Sequence, residues 1–366
     1  MSDHKFQVHD MDIPDEPLAI SVLTGFLGSG KTTLLKQLLH HPDMDETAVI
    51  VNEFGEIGLD HLLVENSTED IILMNSGCLC CTVRGDLVET IRKLYKQRLM
   101  KEVPAFNRIV IETTGLADPA PILQTLMSDS FLSDRFRLDG VITTVDTING
   151  NDTLDNQQEA VKQAAVADRL LLTKTDLMNA GEFNDLKLRL KELNPTATIE
   201  EIKHGIIEPS LLFNAGLYNP ATKTLDVQNW LKAEAFEDNH KHHHDHSHDH
   251  VHGHAHNLNR HDDKVHAFCL THDQPIDWEQ LNSWIEMLIT LYGNNLLRIK
   301  GILNIEGDSN PIVIHGVQHV FHPPVMLKAW PSDDKRSKIV FIVRDLKREM
   351  FDETFKAFIE QGGDLR

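Results

Sequence analysis

The amino-acid sequence predicts an α/β fold with a mostly parallel sheet, followed by a smaller C-terminal α+β domain. Three observations carry this. Short apolar runs alternate with helical patterns from Leu18 to Asp176. The first run ends in a glycine-rich turn that opens directly into a helix. A stretch dominated by histidine and aspartate, 236–262, then separates this half from a second group of strands and helices.

Residues 1–17 are polar and carry Pro14 and Pro17, so they read as a loose tail. His4 and His9 belong to that solvated tail. "LAISVLTGF" from Leu18 is the first strand and "TTLLKQLLHH" the helix after it. "ETAVIVNEF" and "EDIILMNSG" are the second and third strands, and "LVETIRKLYKQRLM" is a helix. "FNRIVIETTG" is the fourth strand, "APILQTLMS" a helix, "RLDGVITTVD" the fifth strand, "NQQEAVKQAAVA" a helix and "DRLLLTKTD" the sixth strand. Continuous apolar strands alternating with helices indicate βαβ units, whose strands are covered on both faces. Ligands of such sheets sit at the carboxyl ends of the strands.

The tract "HKHHHDHSHDHVHGHAH" has almost no apolar residues and cannot bury a core, so a disordered linker is expected there. Beyond it, "DKVHAFCLTH" reads as a strand and "DWEQLNSWIEMLITLYG" as an amphipathic helix. "NLLRIKGILNIEG", "NPIVIHGVQHVFHP" and "SKIVFIVRD" read as strands, and "REMFDETFKAFIEQ" as a closing helix. This pattern predicts an antiparallel sheet with helices on one face.

Composition narrows the function. A formal net charge of −21 argues against nucleic acid or an anionic membrane as the main partner, since both need a positive footprint. There is no run of about eighteen apolar residues, so no membrane span is expected. No secretory signal is visible at the N-terminus. Four cysteines, three of them clustered, are no disulfide framework, and a reducing cytoplasmic location fits.

"GFLGSGKT", residues 25–32, satisfies G-x-x-x-x-G-K-[ST] between a strand and a helix, the setting of a P-loop NTPase. Gly25, Gly28 and Gly30 let the backbone curl so that its amides face phosphate oxygens, and Ser29 and the following Thr33 are further expected nucleotide-binding residues. Lys31 is expected to reach the β- and γ-phosphates, and the Thr32 hydroxyl to bind Mg²⁺. In "IVIETTGLADP" the strand ends at Glu112, where many P-loop proteins carry the acid of the Mg²⁺ shell, and the Gly115 amide is placed to sense the γ-phosphate. Asp118 is a second acidic candidate, with a helix N-terminal cap as the competing reading. In "LLLTKTDL", Asp176 can accept from N1–H and the exocyclic amine of guanine, which adenine does not offer. Lys174 is expected over the base plane. Thr173 stands where Asn is usual.

The cluster Cys78, Cys80 and Cys81 offers thiolates to a soft or borderline ion such as Zn²⁺. It is expected just after the third strand, whose carboxyl end is placed at the P-loop edge. Further ligands could come from Glu53, Glu56 or Asp60 in "VNEFGEIGLD". Thiol redox sensing is the competing chemistry. Cys269, alone in a strand, reads as core. The tract supplies His240, His242, His243, His244, His246, His248, His250, His252, His254 and His256, ten imidazoles expected to bind several ions weakly.

Together, "TGFLGSGKTTLL", "VNEFGEIGLD", "GCLCC", "IETTGLADP" and "TKTD" resemble the CobW family of P-loop GTPases over nearly the whole chain. The resemblance implies a GTP-hydrolysing metallochaperone that passes Zn²⁺ or Co²⁺ to a client protein. By it, Gly25 to Thr32 bind phosphate, Thr173 to Asp176 bind guanine, and Glu53, Cys78, Cys80 and Cys81 bind metal. Lys31, Thr32 and Glu112 are the expected catalytic residues. The implied division is a tail at 1–17, a P-loop GTPase domain at 18–235, a linker at 236–262 and a CobW-like domain at 263–366. A monomer, or an oligomer that depends on metal or nucleotide, is compatible with this. The runner-up is a non-catalytic zinc buffer built on the histidine tract. An ATP-using kinase is disfavoured by Asp176.

Overall fold

A computed structural model of the chain describes residues 14, 16–52, 71–73, 79–83, 86–177, 180–213 and 265–360. The described residues fall into two compact units. One draws on Met1–Ile148, Ala167–Asn179 and Ile199–Asn219, the other on Asn149–Val166, Ala180–Thr198 and Pro220–Arg366.

The first unit is built on eight strands: β1 (Leu18–Gly25), β2 (Thr47–Asn52), β3 (Ile71–Leu73), β4 (Leu79–Val83), β5 (Arg108–Thr113), β6 (Phe136–Asp146), β7 (Arg169–Thr173) and β8 (Thr198–Glu201). Their order in the sheet is β3-β4-β2-β5-β1-β6-β7-β8. β1 is parallel to both β5 and β6, β2 is parallel to β5 and β4, and β6 is parallel to β7. Every residue of β1 is buried, as a strand with covered faces requires. The chain runs to one side of β1 through β2 and returns to the other through β6. The crevice at this reversal is where an open α/β sheet binds ligands.

Helix α1 (Lys31–Leu38) leaves β1 through the glycine turn. Leu34, Leu35 and Leu38 face Leu23, Val110, Ile142 and Leu171 of the sheet in one core. Burying each such side chain contributes about 1.5–3 kcal/mol and fixes the helix axis behind the turn. Helices α2 (Leu87–Leu99), α3 (Ala120–Ser128) and α4 (Ser130–Arg135) complete this unit's described helices.

Strand β3 differs from expectation. It is antiparallel to β4, with Leu73 opposite Leu79. A parallel return needs a crossover of about a dozen residues or more, and 74–78 is too short for one. The expected third strand therefore points its carboxyl end away from the P-loop edge. "LCCTV" is itself the parallel strand β4.

The second unit combines α5 (Gly150–Asn156), α6 (Gln158–Val166) and α7 (Ala180–Leu193) with the C-terminal elements. Those are β9 (Val265–His272), α8 (Trp278–Tyr292), β10 (Leu296–Leu303), β11 (Ile312–Val317), β12 (Val320–Phe321), β13 (Val325–Met326), β14 (Ser337–Arg344) and α9 (Arg348–Phe355). The sheet is antiparallel, ordered β12-β11-β10-β14-β9, with β13 beside β11. One face packs on α8 and α9 through Trp284, Phe341, Phe351 and Phe355. The other does not stay open, as a one-faced arrangement would leave it: Leu297 and Ile342 pack on Ala165 of α6. Arg189 of α7 ties back to the Asn151 carbonyl at 2.9 Å and to Asp155 at 2.6 Å.

Phe341 is fully buried, with its ring 4.8 Å from Phe351, 5.5 Å from Phe268 and 5.8 Å from Trp284. Phe341→Ala is predicted to cost about 3–5 kcal/mol, read as a lower urea midpoint for the C-terminal unit. A loss under about 1 kcal/mol would show that this cluster does not close the core.

Candidate functional site

The site grows from the end of β1. Gly25 adopts φ 138°, and a Cβ built there would lie 2.3 Å from Thr144 Oγ1 and 2.4 Å from the Thr144 carbonyl oxygen. Only glycine lets the turn press this closely on β6. Gly28 (φ 72°) and Gly30 (φ 95°) are also left-handed, and open space surrounds the Gly28 position. Gly30 is the N-cap of α1 and has no side chain to cap it. No acid lies in the first turn. The first amides of a helix have no intrahelical acceptor, so this uncapped end is an anion-binding surface. Lys31 is buried, and its Nζ donates to the carbonyls of Gly25 at 2.7 Å and Phe26 at 3.1 Å. Thr32 and Thr33 are exposed on the same first turn.

Two neighbouring strands hold the turn in place. The hydroxyls of Ser29 and Thr144 are 2.7 Å apart. Thr173, at the end of β7, donates its hydroxyl to the Ser29 carbonyl at 2.8 Å and to the Val145 carbonyl at 3.2 Å. The threonine that stands where asparagine is usual thus joins the loop after β7 to the loop after β1. Lys174 follows with φ 58°, and its Nζ lies 2.7 Å from Asp146 Oδ2. Asp176 sits exposed on a short 3₁₀ turn, Thr175–Leu177.

Glu112 lies near the carboxyl end of β5 and is 6% exposed. It is level with Leu23 of β1 and Val51 of β2. The next residue, Thr113, donates its hydroxyl to that of Thr24 at 2.9 Å. Gly115 packs against the backbone of Leu27, where a Cβ would come within 2.7 Å, so the loop after β5 lies directly on the P-loop. Asp118 accepts from the Ala120 amide at 3.0 Å, which is the capping role.

Of the expected metal ligands, Cys80 and Cys81 are described as residues of β4. Cys81 is level with Ile50 of β2 and, through it, with Ile111 of β5. It therefore stands one register position before Glu112 and two strands away, about 10 Å at ordinary strand spacing. Cys78, Glu53, Glu56, Asp60 and the ten tract histidines lie outside the described residues. Cys269 is buried in β9 and is core. Among the described residues, His41, Asp43 and Glu208 form one group with metal-ligand chemistry. His41 Nδ1, however, accepts the Asp43 amide at 3.1 Å and caps the turn Pro42–Met44. Nδ1 used in that way cannot also hold a metal, while Nε2 faces Glu208 Oε2 at 3.7 Å.

Sequence reasoning did not single out Thr144, Asp146 or Thr147. Their one signal is a polar run, "TTVDT", at the end of an otherwise apolar strand. Four exposed apolar side chains, Leu27, Leu116, Ile148 and Leu177, follow the ends of β1, β5, β6 and β7 and rim this edge. Among the described residues, no helix is long and apolar enough to cross a membrane.

The chain is similar to known proteins. The CobW/HypB/UreG nucleotide-binding domain matches residues 19–201, and the C-terminal domain of the cobalamin synthesis protein CobW matches residues 265–359. The chain is 33% identical over 333 residues to the zinc chaperone YjiA of Escherichia coli, covering 91% of this chain and 96% of that one. It is 29% identical over 370 residues to zinc-regulated GTPase metalloprotein activator 1 of Schizosaccharomyces pombe, covering 94% of this chain and 86% of that one. The crystal structure of Zn(II)-bound YjiA GTPase superposes with a TM-score of 0.71 at 31% identity, over 94% of this chain and 99% of that one.

Gly25→Ala is predicted to destabilise the first unit by about 2 kcal/mol or more, because the new methyl meets both the hydroxyl and the carbonyl of Thr144. Adding Thr144→Ala is predicted to restore only part of the loss, since the carbonyl stays. Thermal melts of the two variants check this. A neutral Gly25→Ala would show that the strand end yields freely.

Proposed function

Because the chain belongs to the CobW/HypB/UreG family of nucleotide-binding proteins, we infer that it is a GTP-hydrolysing metallochaperone with Zn²⁺ as its cargo. The observation that carries the nucleotide half is the 2.8 Å hydrogen bond from Thr173 to Ser29. It binds a guanine-type loop and a phosphate loop into one frame, as a nucleotide that spans both requires.

The roles follow from the chemistry of each group. Lys31 and the uncapped amides of α1 offer positive charge to the β- and γ-phosphates. Asp176 takes the two donors of guanine, and Lys174 flanks the base. Thr32 and Glu112 supply a hydroxyl and a carboxylate, hard oxygen donors that suit Mg²⁺, and bound Mg²⁺ would offset phosphate charge. Gly115, pressed on the P-loop, is placed to register the γ-phosphate. With no water-orienting side chain or arginine finger in the assignment, turnover is slow. For cargo we assign Cys78, Cys80 and Cys81 with Glu53. The register of β4 supports this, since Cys81 falls about 10 Å from the Glu112 backbone. The tract histidines are weak accessory sites. Clustered thiols suit the reducing cytoplasm. A client metalloprotein is the partner class, and the apolar rim around the nucleotide edge is a surface it could cover.

Lys31→Ala is predicted to abolish GTP turnover and to leave the far-UV circular dichroism of the fold intact. Wild-type protein should hydrolyse GTP in strong preference to ATP. Equal turnover of the two nucleotides would remove the guanine assignment.

Loops that contact phosphate can order or release with nucleotide state, and linkage makes any effect of GTP on metal reciprocal. Zn²⁺ affinity, read by competition with a chromogenic chelator on a variant lacking 240–256, is predicted to differ about 5- to 150-fold between GDP and a non-hydrolysable GTP analogue. Equal affinities would separate the GTPase from the metal and defeat the chaperone cycle.

A further inference from the structure

We propose that Asp146 is a positioning residue for base recognition, acting through Lys174. The proposal rests on the reading that Thr173–Asp176 takes guanine. β6 continues past the level at which β1 ends, and each of its last residues holds a neighbour. The Thr144 hydroxyl meets that of Ser29, and the Val145 carbonyl accepts from Thr173. Asp146 Oδ2 holds Lys174 Nζ at 2.7 Å, while its Oδ1 accepts the Ile148 amide at 2.9 Å. Just beyond the strand, Thr147 donates its hydroxyl to the Thr173 carbonyl at 2.8 Å. The strand end "TVDT" is a strap from the phosphate loop to the base loop.

Two features separate the Asp146–Lys174 pair from an ordinary surface ion pair. The carboxylate is buried, 10% exposed at the side chain, while the lysine side chain is 37% exposed. The acid is therefore anchored and the lysine stem is on offer to a ligand. Lys174 is also in the left-handed region, with φ 58°. A residue other than glycine persists there when its surroundings over-determine it, and such residues concentrate at functional sites. The restraints here are the Asp146 contact and the Leu177 amide on the Lys174 carbonyl at 3.0 Å. A free lysine stem samples many rotamers, and binding a base would have to freeze them. With Nζ tied at 2.7 Å, that ordering is done before the nucleotide arrives. The stem becomes a fixed apolar plate for a purine, two residues from the carboxylate that reads guanine.

The test measures the affinity of a fluorescent GDP for the full chain in Asp176→Asn, Asp146→Asn, Lys174→Met and the Asp146→Asn/Lys174→Met pair. Asp146→Asn keeps an oxygen for the Ile148 amide and removes the charge that holds Lys174. Asp176→Asn reports on the underlying reading: if it binds GDP as the wild type does, the guanine assignment falls, whatever Asp146 does. With Asp176→Asn weakened, Asp146→Asn and Lys174→Met are each expected to raise Kd by about five- to tenfold, the scale of a charge-assisted bond discounted for partial exposure. The pair should lose no more than either single change, and the loss should fall on KM for GTP rather than on kcat. A purely structural staple would lower the melting temperature and leave this coupling in nucleotide affinity absent. Normal GDP binding by Asp146→Asn, or losses that multiply in the pair, would overturn the proposal. Should Asp146→Asn fail to fold, Lys174→Arg replaces it, because arginine keeps a charge for Asp146. Lys174→Arg is expected to hold GDP several-fold more tightly than Lys174→Met, and equal binding by the two overturns the proposal.

Discussion

A hydroxyl at the end of β7 donates to a carbonyl in the turn after β1, between residues 144 apart in the chain. The candidate site depends on that hydrogen bond. A glycine-rich turn alone has many conformations, and the loop after β7 alone has nothing to align it with that turn. Thr173 makes the two loops one object. It can do so only because β1, β6 and β7 are adjacent and parallel, so that their carboxyl ends emerge together. Parallel sheets are covered on both faces, and every residue of β1 is buried. The polar groups that close the site are confined to strand ends, where Thr24, Thr113, Thr144 and Thr173 bond to one another or to the turn.

The same edge separates two kinds of chemistry. Around β1 the donors are amides, an ammonium and hydroxyls, with Glu112 and Asp146 as buried carboxylates, a set suited to phosphate and a hard cation. On the far side of β2, strand β4 brings two cysteines to the level just before Glu112. β2 alone stands between the thiol-bearing strand and β5. The loop after β5 is therefore two strands away from the end of β4. The protein is strongly acidic overall, with a formal charge of −21, so the positive charge that Lys31 brings to this edge is local.

Local chemistry explains what could be read directly. Gly25, Gly28 and Gly30 are needed wherever a turn takes left-handed angles and presses on a neighbour, and Lys31 and Thr32 follow at the one place a helix begins. "TKTD" at a strand end carries its donor pattern within four residues. The alternation of apolar runs and helices sufficed for a parallel sheet and for a second antiparallel one. The direction of β3 is not legible from its own residues: it depends on how far the chain travels before it pairs again, and five residues, 74–78, are too few for a parallel return.

What the sequence by itself determined, then, is the set of motifs whose residues are near neighbours: the glycine-rich turn, the TKTD stretch, the thiol cluster and the histidine tract. Only the tertiary structure decided the partners that are distant in sequence. It put Thr144 against Gly25, Thr173 on Ser29, Asp146 on Lys174 and Ala165 against Leu297. These contacts leave no periodic trace, because a hydrogen bond between two strand ends asks for one residue at one register position on each strand. That register exists only after the sheet has formed. An aspartate in "TTVDT" looks like any polar strand end until β7 is laid beside it.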